Sequence, residues 1–126
     1  MSEENTTTPI VEAKKPTMVT FDEFKKIEIR VGKILSAEKI PETDKLLKLA
    51  VDMGESSPRQ IVSGISMYFP DPMLLVGKKC MFVANLEPRT IKGFESQGMI
   101  FAVSTDDGKF SLLEPSVDLP PGTLAK

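Results

Sequence analysis

Apolar and polar residues alternate with a period of two at Ile27, Ile29 and Val31, with Glu28 and Arg30 between them, and that alternation predicts a β-strand. Beyond Gly32 the apolar positions change parity to Ile34 and Ile40, as one extra residue at a glycine bulge would make them do in a strongly bent strand. The same phase assigns Arg30 and Lys33 to the outer face. A turn cluster over residues 41–44 precedes a second strand with Leu47, Leu49 and Val51 on one side, and residues 59–65 make a short third strand. Pro70 and Pro72 leave room only for a short helix over 71–76. The runs Cys80-Met-Phe-Val-Ala84 and Met99-Ile-Phe-Ala-Val103 read as neighbouring fourth and fifth strands, buried on both faces. Upstream, Thr20 is an N-cap candidate with Glu23 at the capping-box position, which predicts one or two helical turns from Phe21. Residues 1–20 are polar and aperiodic, as in a flexible tail or linker.

Five strands, a short helix between the third and fourth and a long connection between the fourth and fifth give the element order of an OB-fold barrel. The predicted class is therefore mainly β: a five-stranded OB-fold barrel with a short N-terminal helix and an appended C-terminal extended or β segment, in one domain over residues 21–126. In the appended segment, about 104–126, Asp107-Gly108 signals a hairpin and residues 111–113 a short strand. Its residues Phe110, Leu112, Leu113, Val117 and Leu119 are too apolar for a solvated tail, and a closed barrel needs no further cover. They are expected to bury themselves in a twofold homodimer, together with the N-terminal helix; packing on their own barrel is the alternative.

Charge changes the picture only when it is divided by segment. The net charge is -2, but residues 1–24 carry two Lys against five acids, residues 25–100 twelve Lys/Arg against nine acids, and residues 101–126 two Lys against four acids. The middle is basic between acidic flanks, which fits either a mixed solvated surface or a contact with polyanions. There is no histidine and a single cysteine, Cys80, inside an apolar run. Imidazole catalysis, Cys-His nucleophiles and the usual zinc sites are thereby excluded, and a reduced, cytoplasmic setting with no cofactor is expected. Asp106-Asp107 reads as part of a turn rather than as a catalytic carboxylate pair, so no enzymatic activity is expected. No apolar run is long enough to span a bilayer.

The chemistry concentrates between the last two strands, in Asn85-Leu-Glu-Pro-Arg-Thr-Ile-Lys-Gly-Phe-Glu-Ser-Gln-Gly-Met99. A connection that only turned the chain would need two to five residues. This one carries the cations Arg89 and Lys92, the neutral donors and acceptors Ser96 and Gln97, glycines at 93 and 98 and the polarizable Met99. That inventory suits phosphates and base edges.

The runs Ile29-Arg-Val-Gly-Lys-Ile34, Ile40-Pro-Glu-Thr-Asp-Lys-Leu46 and Ile61-Val-Ser-Gly-Ile65, then Asn85-Leu with Pro88-Arg89 and Gly93, then Glu95-Ser-Gln-Gly-Met99, together resemble the structure-nonspecific tRNA-binding domain. That domain occurs as a free-standing dimer, as an appendage or subunit of methionyl-tRNA synthetase, and in synthetase cofactors. The resemblance covers about 21–126. It implies a non-catalytic module that binds tRNA by backbone charge and shape, serves methionyl-tRNA synthetase in cis or trans, and forms a homodimer. With the strand phase and loop chemistry above, the expected RNA contacts are Arg30, Lys33, Lys45, Asn85, Arg89, Lys92, Ser96, Gln97 and Met99. Where the family commonly has His-Pro, this chain has Ile40-Pro41, so no titrating role transfers to that turn. The related CsaA family offers a second reading, an export chaperone for unfolded polypeptide, for which Met67, Tyr68, Phe69 and Met73 are the candidate surface. A general single-strand DNA binder is a weaker third reading, because aromatic residues for stacking are few.

Overall fold

The computed structural model describes residues 17–126. Helix α1 (Phe21–Phe24) is a single turn with the expected reciprocal cap: Thr20 Oγ1 accepts from the Glu23 amide at 3.0 Å, and Glu23 Oε1 accepts from the Thr20 amide at 2.8 Å. Strands β1 (Ile29–Lys39), β2 (Leu47–Asp52) and β3 (Arg59–Ser63) follow. Two single-turn 3-10 helices come next, Ser66–Tyr68 and Pro72–Leu75, the second opened by Asp71 Oδ1 accepting from the Met73 amide. The chain continues through β4 (Lys79–Val83), β5 (Arg89–Ile91), β6 (Phe94–Ser96), β7 (Met99–Ile100), β8 (Ala102–Ser104) and β9 (Phe110–Leu112).

Five of these strands form one antiparallel sheet in the order β3-β2-β1-β4-β7, curled into the nearly closed OB-like barrel that the element order predicted. The alternation in β2 is carried through: Leu47, Leu49 and Val51 are buried and meet Ile34, Ile61, Leu75, Cys80 and Phe82 in the interior. Burial raises the Cys80 thiol to about 11, so at neutral pH it is an inert apolar filler.

The bulge expected at Gly32 lies elsewhere. The register of β1 against β2 slips between Ile34 and Ser36, while Gly32 stays in regular pairing with Cys80. Gly32 is small because the interior is full, since a Cβ there would stand 2.7 Å from Met53 Sδ, Val51 Cγ1 and Phe82 Cδ1. Gly32 and Ile34 therefore share the inner face, and Val31 is buried from outside, by the C-terminal residues. The parity change in the sequence marks a change in what covers the strand.

The run 99–103 is not one strand. β7 pairs with β4 and stops at Ile100; Phe101 still donates to Met81 O, and β8 then leaves to pair with β9 around the expected Asp107-Gly108 turn. Ala102, Val103 and Ser104 are exposed, so only the first part of this run is core.

The appended segment packs on its own barrel. Leu112 joins the core, Phe110 packs against it, and Val117 is left 63% exposed. Beyond Lys79, whose ammonium binds Asp118 Oδ1 and Leu119 O, residues 122–125 run beside the part of β1 that β2 leaves unpaired. Val31 N donates to Thr123 O at 2.9 Å, Gly122 N to Val31 O at 2.7 Å and Ala125 N to Ile29 O at 2.7 Å.

Candidate nucleic-acid interface

Between β4 and β7 the sequence predicted a loop, and the chain instead builds a β-hairpin, β5–β6, paired Arg89–Ser96, Thr90–Glu95 and Ile91–Phe94. Its two-residue turn is Lys92-Gly93, both at positive φ (+52° and +85°), the backbone of a tight turn whose twist matches that of the strands. Glycine at the second position meets this need without strain, and nothing lies within 4 Å of where its Cβ would be. Arg89 and Lys92 are exposed, and among the described residues neither is in an ion pair.

Ser96 and Gln97 point the other way. Ser96 is buried; its Oγ accepts from the Val62 amide at 2.9 Å and donates to Gly98 O. Gln97 exchanges bonds with Gln60, its own N donating to Gln60 O at 2.7 Å and its Oε1 accepting from Gln60 N at 2.9 Å. Gln60 Nε2 also reaches Glu95 O at 2.8 Å. These side chains close the seam of the barrel, taking the place of ladder bonds that β3 and β7 do not make. Gly98 belongs to the same seam, for a Cβ on it would stand 2.8 Å from Val83 O, so the close approach it permits is to the chain's own barrel.

At the foot of the hairpin, Asn85 joins the end of β4 to the segment after α1, with Oδ1 accepting from the Glu28 amide at 2.8 Å and Nδ2 donating to Lys26 O. Arg30 is half-buried, its guanidinium bonded to Glu28 Oε1 and to Gly122 O at 2.8 Å. Lys33 stands across from Lys79 and Asp52 on β1, over a groove lined also by Gly77, Glu114 and Asp118. Lys45 is exposed just ahead of β2, and Met99 is 44% exposed opposite Val83. The nine residues marked in the sequence thus divide. Arg89 and Lys92 are free of described ion pairs on one hairpin, Lys45, Lys33 and Met99 stand on the surface or over a groove, and Ser96, Asn85, Arg30 and the Oε1 of Gln97 are engaged within the protein.

Sequence reading passed over three residues that matter here. Lys48 sits on the outer face of β2 with its ammonium 5.1 Å from the centre of the Phe94 ring, so it joins the hairpin to the sheet, and Glu38 lies 3.8 Å from it. Arg59 lies in an open groove of about 550 Å³ between residues 55–58 and the foot of the hairpin. Its Nε and Nη2 bond both oxygens of Glu55, at 2.8 and 2.7 Å, and its Nη1 donates to Ala84 O and to Gln97 O. The bond and charge of Arg59 pull the Glu55 carboxyl below its ordinary range, and Glu55 in turn raises Arg59. Only the position of Arg59 at a strand start, opposite a turn acid four residues earlier, signals this in the sequence.

Among the described residues no cluster of His, Cys, Asp and Glu is placed to hold a metal, and no helix is long and apolar enough to cross a membrane. Tyr68 stacks on Phe110, with ring centres 3.9 Å apart and planes 7° from parallel, and Phe69 meets Phe110 edge-on. That aromatic pair therefore braces the appended segment.

A nearly closed five-stranded antiparallel barrel bearing a cationic hairpin at its seam defines an OB-like binding module. Residues 29–124 match the family model of the tRNA binding domain, tRNA_bind, and the chain belongs to that family. It is 40% identical over 108 residues to a methionine–tRNA ligase of Enterococcus faecalis, which covers 86% of this chain but only 16% of the ligase. The chain is similar along 88% of its length, with TM-score 0.80 and 42% identity, to the whole of a solved MetRS-related protein from Pyrococcus horikoshii. It also resembles the whole of the chaperone CsaA from Bacillus anthracis, at TM-score 0.77 and 28% identity over 87% of this chain.

Proposed function

We propose that this chain is a non-catalytic tRNA-binding module that grips RNA by backbone charge and shape with little sequence preference, with the β5–β6 hairpin as its contact arm. The observation that carries the reading is the hairpin itself, which sets Arg89 at the start of its first strand and Lys92 at its turn, both free of any described ion pair. Lysine and arginine on phosphates act by releasing counterions, so affinity is steeply salt-dependent and nearly independent of sequence. The relatives named as methionine–tRNA ligases and the MetRS-related protein support service to methionyl-tRNA synthetase, in cis or trans, in the cytoplasm. Total tRNA bound to the protein on filters at low and high salt tests the reading; no retention at low salt would overturn it.

The module acts as a homodimer in this reading. Phe21, Phe24, Ile27 and Leu86 are exposed around the Asn85 tie, and Val117 and Leu124 are exposed on the appended segment. Apolar area of that kind at both chain ends calls for a second surface. Light scattering at micromolar concentration is expected to give twice the chain mass.

One observation favours the second reading, a CsaA-like chaperone. Met67, Met73 and Leu74 are each about 60% or more exposed on the two 3-10 helices, a pliable apolar surface for extended polypeptide. Suppression of aggregation of an unfolded client, unaffected by added tRNA, would favour it.

A further inference from the structure

The hairpin pairs with no strand of the barrel, and an isolated two-stranded hairpin is only marginally stable in water. Lys48 on the Phe94 ring and Gln60 Nε2 on Glu95 O tie one strand of it to the sheet, and its two legs are joined to each other and to the barrel at its foot. Ala84 is the residue at which the chain leaves the barrel for the hairpin, and Gln97 the residue at which it returns; their two carbonyls are bridged by one Nη1 of Arg59. Its Nε and Nη2 are held by the two oxygens of Glu55, whose backbone belongs to the turn between β2 and β3. One planar group thus ties three separate parts of the chain. Lysine has neither the plane nor the second nitrogen to do this.

We propose that Arg59, aligned by Glu55, is the positioning residue that aims the β5–β6 hairpin, so that Arg89 and Lys92 meet successive phosphates together. This rests on the RNA-binding reading above. Arg59 itself lies about three-quarters covered in the groove and spends its donors inside the protein, so its effect on RNA passes through the hairpin. The carbonyls it bridges are acceptors that no other described donor reaches, and releasing them loosens both legs of the hairpin at once, leaving Asn85 on one leg and Ser96 and Gln97 on the other.

The test compares wild type with Arg59→Lys in two measurements. In the first, backbone amide hydrogen exchange is followed without RNA. Residues 89–96 are expected to exchange roughly tenfold faster in the variant, while β1, β2 and β4 keep their protection. In the second, total tRNA is titrated at several salt concentrations, where affinity is expected to fall about tenfold and the salt slope to flatten by about one unit. In an Arg89→Ala/Lys92→Ala background, Arg59→Lys is expected to cost no further affinity, because its effect has no route left. Full additivity there would mean that Arg59 touches RNA directly, and equal loss of protection across the barrel would mean that it only holds the fold; either result overturns the proposal. Glu55→Gln keeps the shape and one acceptor, so it is expected to give the same pattern at smaller size, and it decides the matter if Arg59→Lys does not fold. Should wild type fail to bind tRNA, the proposed function falls, whereas unchanged hairpin exchange in both variants would remove the clamp alone.

Discussion

Two stretches outside the main sheet are attached to the same barrel by different balances of backbone and side-chain bonds. Residues 122–125 dock on β1 chiefly through backbone bonds, Val31 N to Thr123 O, Gly122 N to Val31 O and Ala125 N to Ile29 O, with the Arg30 guanidinium added on Gly122 O. Residues 85–97 dock mainly through side chains: Ser96 on Val62, Gln97 on Gln60, Arg59 on Ala84 and Gln97, and Asn85 on Glu28 and Lys26, with one backbone bond, Gln97 N to Gln60 O, beside them. Backbone docking tolerates almost any side chain but demands special φ and clearance at the crossing. Side-chain docking demands particular residues, and it leaves the tip free to carry charge outward.

The sharpest way to break this contrast is at the two crossings. Gly122 has φ +92° and lies where a Cβ would stand 2.8 Å from Met53 O, so Gly122→Ala is expected to destabilise by roughly 1–3 kcal/mol in urea unfolding. Leu124→Ala, on the same segment but 44% exposed, is expected to change stability by less than about 0.5 kcal/mol. A large cost at Leu124 would show that side chains hold this segment after all.

In the seam the dependence reverses. Ser96→Ala removes the acceptor of the buried Val62 amide and is expected to cost about 1–3 kcal/mol by the same measurement. On the exposed side of the hairpin, Arg89→Ala and Lys92→Ala are each expected to leave stability within about 0.5 kcal/mol of wild type. Each is expected to reduce the salt slope of tRNA binding by about one unit. Loss of stability without loss of slope would place these cations in the fold instead of on RNA.

The smallest effect concerns acid. Glu55 has its folded pKa depressed, chiefly by its bond to Arg59, so its contribution is fully present above the ordinary glutamate value of about 4.3 and is lost as pH falls through the lower folded value. Exchange of the hairpin amides is expected to accelerate in that window relative to the amides of 122–125, which no carboxylate holds. Parallel acceleration of both regions would assign the change to global unfolding.

What the sequence determined by itself is whatever depends on neighbours in the chain. The reciprocal cap of Thr20 and Glu23, the inward face Leu47-Leu49-Val51, the Asp107-Gly108 turn and the order of elements are local matters of period, cap and turn chemistry, and all are found in the fold. The cationic tip was also legible, since Lys92-Gly93 with Arg89 nearby is a local pattern, although its hairpin was read as a loop. Only the tertiary structure decided which polar residues face in. Ser96 and Gln97 read from the sequence as polar loop residues, and it is β3 beside them that brings the amides of Val62 and Gln60 to Ser96 Oγ and Gln97 Oε1. Gly32 looks like a bulge until Met53 and Phe82 crowd it, and the run 99–103 looks like one strand until Leu113 reaches Phe101 O and draws β8 away. In each case the deciding atom belongs to a residue dozens of positions away or on another strand. Hydrophobic period records that a side chain is covered; it does not record by what.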